Sequence, residues 1–348
     1  MTRARILNLL GYNAFFWFAF WLCAYWSFPY ERLAAFITDK VAESGSGYTL
    51  EIGALSPYWL SGVELEQVKL HKQASAALAT PPDEKGKAPH DNAIRIDSAR
   101  ARLGLFALLF GGKSLSFDAE LGTGKIEGTY AESGDDKKVV ASLSAVDLSK
   151  LGLLEELVSL PMKGTLSGEF DLTLNPQPSK TNGKIALHIQ KLTIGDGKAK
   201  LKLGTMGGLT IDPISAGDLA LEVEVKEGTG AIKRFTTNGA DLKLDGSGDL
   251  RFAQPLVRTR LGILLRLKLT DAYKNKTPRT KTMVSLLEGS SVPQVAAAKT
   301  SDGSYQVRLS GTFASARVLP AGGQSSGPAG GGPGGLPANT SAPGDDDE

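Results

Sequence analysis

An uninterrupted apolar run from Ile6 to Phe28 constrains this chain more than any other feature, because no charged residue breaks it. A helix rises about 1.5 Å per residue, so a run of this length reaches across a hydrocarbon core of roughly 30 Å. Trp17, Trp21 and Trp26 gather toward its second half, with Tyr25, Phe28 and Tyr30. Indole and phenol rings favour the membrane–water interface, since one edge is apolar and the other hydrogen-bonds. The run is too long for a usual signal-peptide core, and no small-x-small cleavage site follows it. Leu22 precedes Cys23 where a lipoprotein signal wants a small residue. The run therefore reads as an uncleaved single-pass anchor. Arg3 and Arg5 precede it, and a short basic head before a first span stays in the cytoplasm. Residues 1–29 form the head and anchor, and residues 30–348 are expected in the periplasm.

About 270 residues remain for folded matter once anchor, neck and tail are set aside, enough for one large or two smaller domains. The net charge of +2 suggests no nucleic acid or acidic polymer as partner. Cys23 is the single cysteine, so no disulfide can form within the exported body and no thiolate metal site exists. His71, His90 and His188 are scattered among unrelated segments.

After Pro29 the pattern is helical. Leu33, Phe36, Ile37 and Val41 recur at helical spacing, and Gly45 and Gly47 end the run, giving a neck over 30–47. From Tyr48 the period becomes two. Tyr48, Leu50 and Ile52 alternate, a turn over Ser56–Gly62 follows, and Val63, Leu65, Val68 and Leu70 run back. Residues 72–93, rich in Ala, Pro and Lys, read as a flexible insert. Alternation then dominates to Phe313, punctuated by glycines every ten to fifteen residues or so, as in a meandering antiparallel sheet. The run from Leu261 to Leu269 reads as the longest strand, with Arg258, Arg260, Arg266 and Lys268 opposite its apolar face. Helical pieces are expected at 105–110, behind Asp147 at 148–160, and at 281–288. Residues 321–348, made of Gly, Pro, Ser and Ala with an acidic end, lack the apolar content to offset ordering entropy. The fold class is mainly β: a membrane helix, then a periplasmic body over 48–320 built as one large curled antiparallel sheet with a few short helices.

No stretch carries a catalytic constellation. Gly111-Gly112-Lys113-Ser114 ends like a phosphate loop, but Ala107 stands where its first glycine belongs, and the context of helix then strand is inverted. Gly122-Thr123-Gly124 joins two strands and reads as a hairpin turn. Asp135-Asp136 and Asp345-Asp346-Asp347 lack the alternating spacing of a calcium loop. No enzyme, cofactor or metal is therefore expected. What the strands do offer is one apolar face across many neighbours, with Leu221, Val223, Leu261, Ile263, Leu265 and Leu267 as candidate groove residues. Such a face either closes into a packed sandwich or leaves a groove for acyl chains or an extended peptide.

The order of segments resembles a known family. A basic start and tryptophan-rich anchor precede Gly47-Tyr48-Thr49-Leu50-Glu51-Ile52-Gly53 and Gly62-Val63-Glu64-Leu65-Glu66-Gln67-Val68-Lys69-Leu70. Leu105-Phe106-Ala107-Leu108-Leu109-Phe110-Gly111-Gly112 comes next, then Val146-Asp147-Leu148-Ser149 and Leu160-Pro161-Met162-Lys163-Gly164-Thr165-Leu166-Ser167-Gly168. Leu244-Asp245-Gly246-Ser247-Gly248-Asp249-Leu250, ahead of the long basic-alternating strand, completes the set. This looks like the type II secretion system protein N (GspN) family, itself similar to AsmA-like envelope proteins. The resemblance implies an inner-membrane anchor, a periplasmic β-rich body, an accessory role in protein secretion and other secretion-system proteins as partners. The AsmA-like relatives imply a groove that holds or conducts phospholipid. The 72–93 insert and the acidic tail depart from the family pattern.

Overall fold

The computed structural model describes residues 3–43, 48–59, 61–72, 93–104, 107, 112–151, 160–198, 200–203, 206–289 and 293–321. The expected insert (all but its two end residues), the 105–110 patch apart from Ala107, most of the 148–160 helix and the tail beyond 321 lie outside these. So do the side chains of residues 3–10, 21 and 24 within the first helix.

Helix α1 runs Arg3–Ser27. Its described aromatic side chains face outward along much of its length: Trp17 is 62% and Trp26 81% exposed. Among the described residues, however, no helix is long and apolar enough to cross a membrane. The side chains of Arg3, Arg5 and Trp21 fall outside the description. Helix α2 (Tyr30–Glu43) follows after Phe28 and Pro29. Tyr30, Leu33, Ala34, Ile37, Thr38 and Val41 form its partly buried stripe, the spacing of one helix face. Phe36, expected on that face, is 57% exposed and lies under Lys40 instead.

Most of the rest is one antiparallel sheet, with fifteen strands among the described residues. β1 (Tyr48–Glu51) and β2 (Ala54–Tyr58) lie in tandem along β3 (Gly62–Lys72). The reversal is thus confined to the residues after Tyr58, and the expected turn from Ser56 is corrected. Pro57 is tolerated within β2 because an edge strand need not donate on its outer side. β4 (Ile94–Leu103), β5 (Lys113–Leu121), β6 (Gly124–Ser133), β7 (Asp136–Asp147), β8 (Met162–Leu174) and β9 (Asn182–Ile194) each pair with the next. A separate hairpin, β10 (Lys200–Leu203) with β11 (Met206–Thr210), interrupts the meander. β12 (Ile214–Lys226), β13 (Thr229–Asn238), β14 (Leu242–Arg251), β15 (Arg260–Leu269), β16 (Tyr305–Thr312) and β17 (Arg317–Pro320) continue it. β1 and β17 stand at opposite ends of the strand order, so the sheet is an open ribbon and not a barrel.

The longest strands are β8, β9 and β12 at 13 residues each, not the 10-residue β15. Bulges sustain them. Ala145 and Lys191 adopt φ of 52°, and Gly217 one of 71°, where the register of adjacent strands shifts. An extra residue at such a point bends the strand and increases its twist.

Three short helices, α3 (Asp271–Lys274), α4 (Pro278–Glu288) and α5 (Pro293–Ala298), lie between β15 and β16. α4 contains the helix expected at 281–288; Thr277 caps it by accepting from the Thr280 N–H at 3.0 Å. Asp147 does cap a helical turn, accepting from the Ser149 N–H at 2.9 Å, but the described turn is a short 3-10 segment, Leu148–Lys150.

Candidate apolar interface

Register alone sorts the side chains onto two faces. On one face a row crosses nine strands: Leu65, Ala99, Ala119, Ile126, Leu143, Gly168, Leu187, Leu221 and Phe235 are successive cross-strand partners. A second row runs beside it through Val63, Ala101, Phe117, Gly128, Ala141, Phe170, Ile185, Val223 and Ile232. Toward the C-terminus Leu244 pairs Leu267, Leu250 pairs Leu261, and Ile263 pairs Leu309. Gly128, in the second row, and Gly246, opposite Leu265, are glycines for a reason. A Cβ at Gly128 would lie 2.5 Å from the Phe117 ring, and one at Gly246 would meet the Phe235 ring. The aromatic rings lie over these glycines and keep the rows continuous.

The opposite face is charged. Glu64, Arg100, Asp118, Glu127, Ser142 and Glu169 are cross-strand partners there. Arg100 donates to Glu64 at 2.8 Å and lies 3.6 Å from Asp118, and the Glu64 hydrogen bond chiefly raises its already high pKa. A depression of about 640 Å³ on this side is bordered by Tyr58, Arg100, Arg102, Asp118, Glu127 and Glu169. Arg100 stands between Glu64 and Asp118, while Asp118 faces Glu127, a like-charge pair that is tolerated where water screens it, so the face is a solvated one.

All six candidate groove residues fall on the apolar face. Val223 (5%), Leu261 (8%) and Ile263 (8%) are buried, whereas Leu221, Leu265 and Leu267 stay partly accessible. Leu143, Leu187, Phe235 and Leu244 are likewise partly accessible. Two clusters on this face account for most burial: one around Val146, Leu166, Ile189 and Leu219, the other around Leu174, Val225, Leu250 and Phe252. The first contains Val146 at 0% exposure and Leu192 at 4%, and alternation alone missed both because bulges precede them. A third cluster closes one end, where Tyr273, Met283 and Val284 of α3 and α4 pack on Leu160 and Ile211. Asp212 anchors that end by accepting from the Thr277 and Thr280 hydroxyls at 2.5 Å each. Those hydrogen bonds hold its carboxyl below the usual range. The Tyr273 hydroxyl donates to the Asp212 carbonyl at 2.9 Å, and burial pushes its pKa up to about 12.

The basic residues opposite the apolar face of β15 do not all act alike. Arg266 reaches Asp302 at 2.6 Å and Ser304 at 3.0 Å, while Lys268 pairs across from Lys243. His71 and His188 sit on β3 and β9, six strand steps apart, and His90 lies outside the description. Among the described residues no three His, Cys, Asp or Glu side chains converge as a metal-holding group.

The class these features define is a mainly β protein: one large antiparallel sheet, apolar on one face, with a few short helices. No family model, curated protein or solved structure matches this chain.

Proposed function

We propose that this chain is a non-enzymatic accessory component of a type II protein secretion system, tethered to the inner membrane by α1 and working through its periplasmic sheet. The ordered motif set of the sequence supports the assignment to secretion. The geometric observation that carries a binding role over a catalytic one is the unbroken apolar face, whose rows keep Leu187, Leu221 and Leu265 partly accessible. Deleting the gene in a strain that needs the apparatus should impair release of exported proteins into the medium; normal release refutes the assignment. A phosphatase fused after Ala321 should be active, since that enzyme folds only outside the cytoplasm.

A second reading at the same face is a lipid-binding or lipid-transfer module of the envelope. It is favoured by the width of the sheet: fifteen strands spaced about 4.8 Å apart make an apolar strip of some tens of ångströms, the scale of extended acyl chains. Phospholipid should be extracted from the purified full chain, and a lipid-free preparation that takes up none from vesicles refutes this reading.

A further inference from the structure

At the corner where β2 turns into β3 the structure gathers an exposed indole and two guanidinium groups. Arg100 and Arg102 stack over the Tyr58 ring at 5.4 and 5.2 Å, and Arg102 lies 5.6 Å from the Trp59 ring. Trp59 is 68% exposed and holds φ at 51°. A bulky residue seldom adopts that left-handed conformation, so the turn presents the indole outward despite strain. Leu103, 48% exposed, is tied to the same corner: its N–H donates to the Ser61 carbonyl at 3.1 Å, and the Ser61 hydroxyl donates to its carbonyl at 2.8 Å. Glu64 neutralises Arg100, whereas Arg102 has no carboxylate partner among the described residues. The corner therefore offers one uncompensated cation beside two exposed apolar groups.

Its place in the chain says what it faces. Four residues separate α2 from β1, yet α2 contacts both β1 and β2. A helix that contacts both strands packs on this edge of the sheet, and Phe28 and Pro29 join its first residue, Tyr30, to α1. Helix α1 ends at Ser27, three residues earlier. The corner thus ends the same strand, β2, on which the helix leading from α1 packs.

We propose that this corner docks on the lipid surface beside α1, with Trp59 and Leu103 at the headgroup–acyl boundary and Arg102 against anionic headgroup phosphate. Interfacial indoles and basic residues near anionic leaflets have this preference. The proposal rests on α1 being the membrane anchor, and the test separates the two. The full chain is reconstituted in nanodiscs of phosphatidylethanolamine and phosphatidylglycerol, with or without bromine on the upper acyl carbons. The fluorescence of Trp59 is obtained by difference from a Trp59→Phe chain, or from Trp59→Gly, which relieves the turn, should the first fail to fold. Brominated lipid should remove at least half of the Trp59 emission, and Arg102→Gln should cut that quenching about twofold. Quenching unchanged in Arg102→Gln overturns the role of that side chain. An unquenched Trp59 alongside quenched Trp17, Trp21 and Trp26 overturns the docking and leaves the anchor standing; it would assign the corner to a protein partner. Four unquenched tryptophans overturn the anchor and the docking together.

Discussion

Replacing Leu265 by aspartate tests whether water reaches the apolar face. Leu265 lies in β15 between Gly246 and Val307 and is partly accessible. Burying a whole leucine contributes about 1.5–3 kcal/mol, so at this partly accessible position Leu265→Ala should cost about 1–2 kcal/mol. If the face is open, the carboxylate of Leu265→Asp stays hydrated, and the cost rises only to about 2–3 kcal/mol. If the face is sealed, an unpaired carboxylate is buried, which costs several kcal/mol more and raises its pKa. A raised pKa makes the charged form the destabilising one at pH 7, and stability then returns as pH falls through the folded-state value. The two cases separate in thermal unfolding of the full chain at pH 7 and pH 5. For a body of this size each kcal/mol shifts Tm by roughly 2–4 °C. We expect Leu265→Asp to melt within about 5 °C of Leu265→Ala at both pH values, and to retain less phospholipid. A collapse at pH 7 that is rescued at pH 5 would refute the open face, and lipid binding with it.

Leu148→Ala, at a side chain 2% exposed within the first cluster, should destabilise by about 2–5 kcal/mol in urea titration. Asp212 has a folded pKa below its unfolded value, so its contribution is present above about pH 4 and lost as pH falls through the lowered value. Asp212→Asn should therefore be less stable at pH 7 and show a flatter acid limb in pH-dependent unfolding. Tyr273 has the opposite sign: with its pKa raised to about 12, its contribution is full below pH 10 and disappears toward pH 12. Tyr273→Phe should flatten the alkaline limb, leaving the part due to Tyr130, whose pKa burial also raises to about 12.

Alternation in the sequence determined most of the strands, their antiparallel character and the face on which Leu221, Val223, Leu261, Ile263, Leu265 and Leu267 lie, because side chains in a strand repeat every two residues; it did not single out β10, β11, β13 or β17. Gly122-Thr123-Gly124 and Asp135-Asp136 marked real turns, and helical spacing placed α2 and α4, but Gly164, Gly183, Gly217, Gly246 and Gly248, read as punctuation between strands, lie inside β8, β9, β12 and β14. What pattern could not supply was the outcome of competition between distant strands. Val146 follows Leu143 by three residues, and Leu192 follows Ile189 by three. Strict period two puts both on the wrong face, and only pairing to β8 and β12 reveals the bulges at Ala145 and Lys191 that return them to the core. The Tyr58–Trp59–Arg102 corner was equally illegible, since Arg102 lies more than forty residues from Tyr58 and Trp59 and meets them through β3–β4 register. Whether an apolar strand is covered is likewise no property of that strand. It depends on the bends that bulges put into neighbouring strands and on where α3 and α4 pack, and both are settled by tertiary packing.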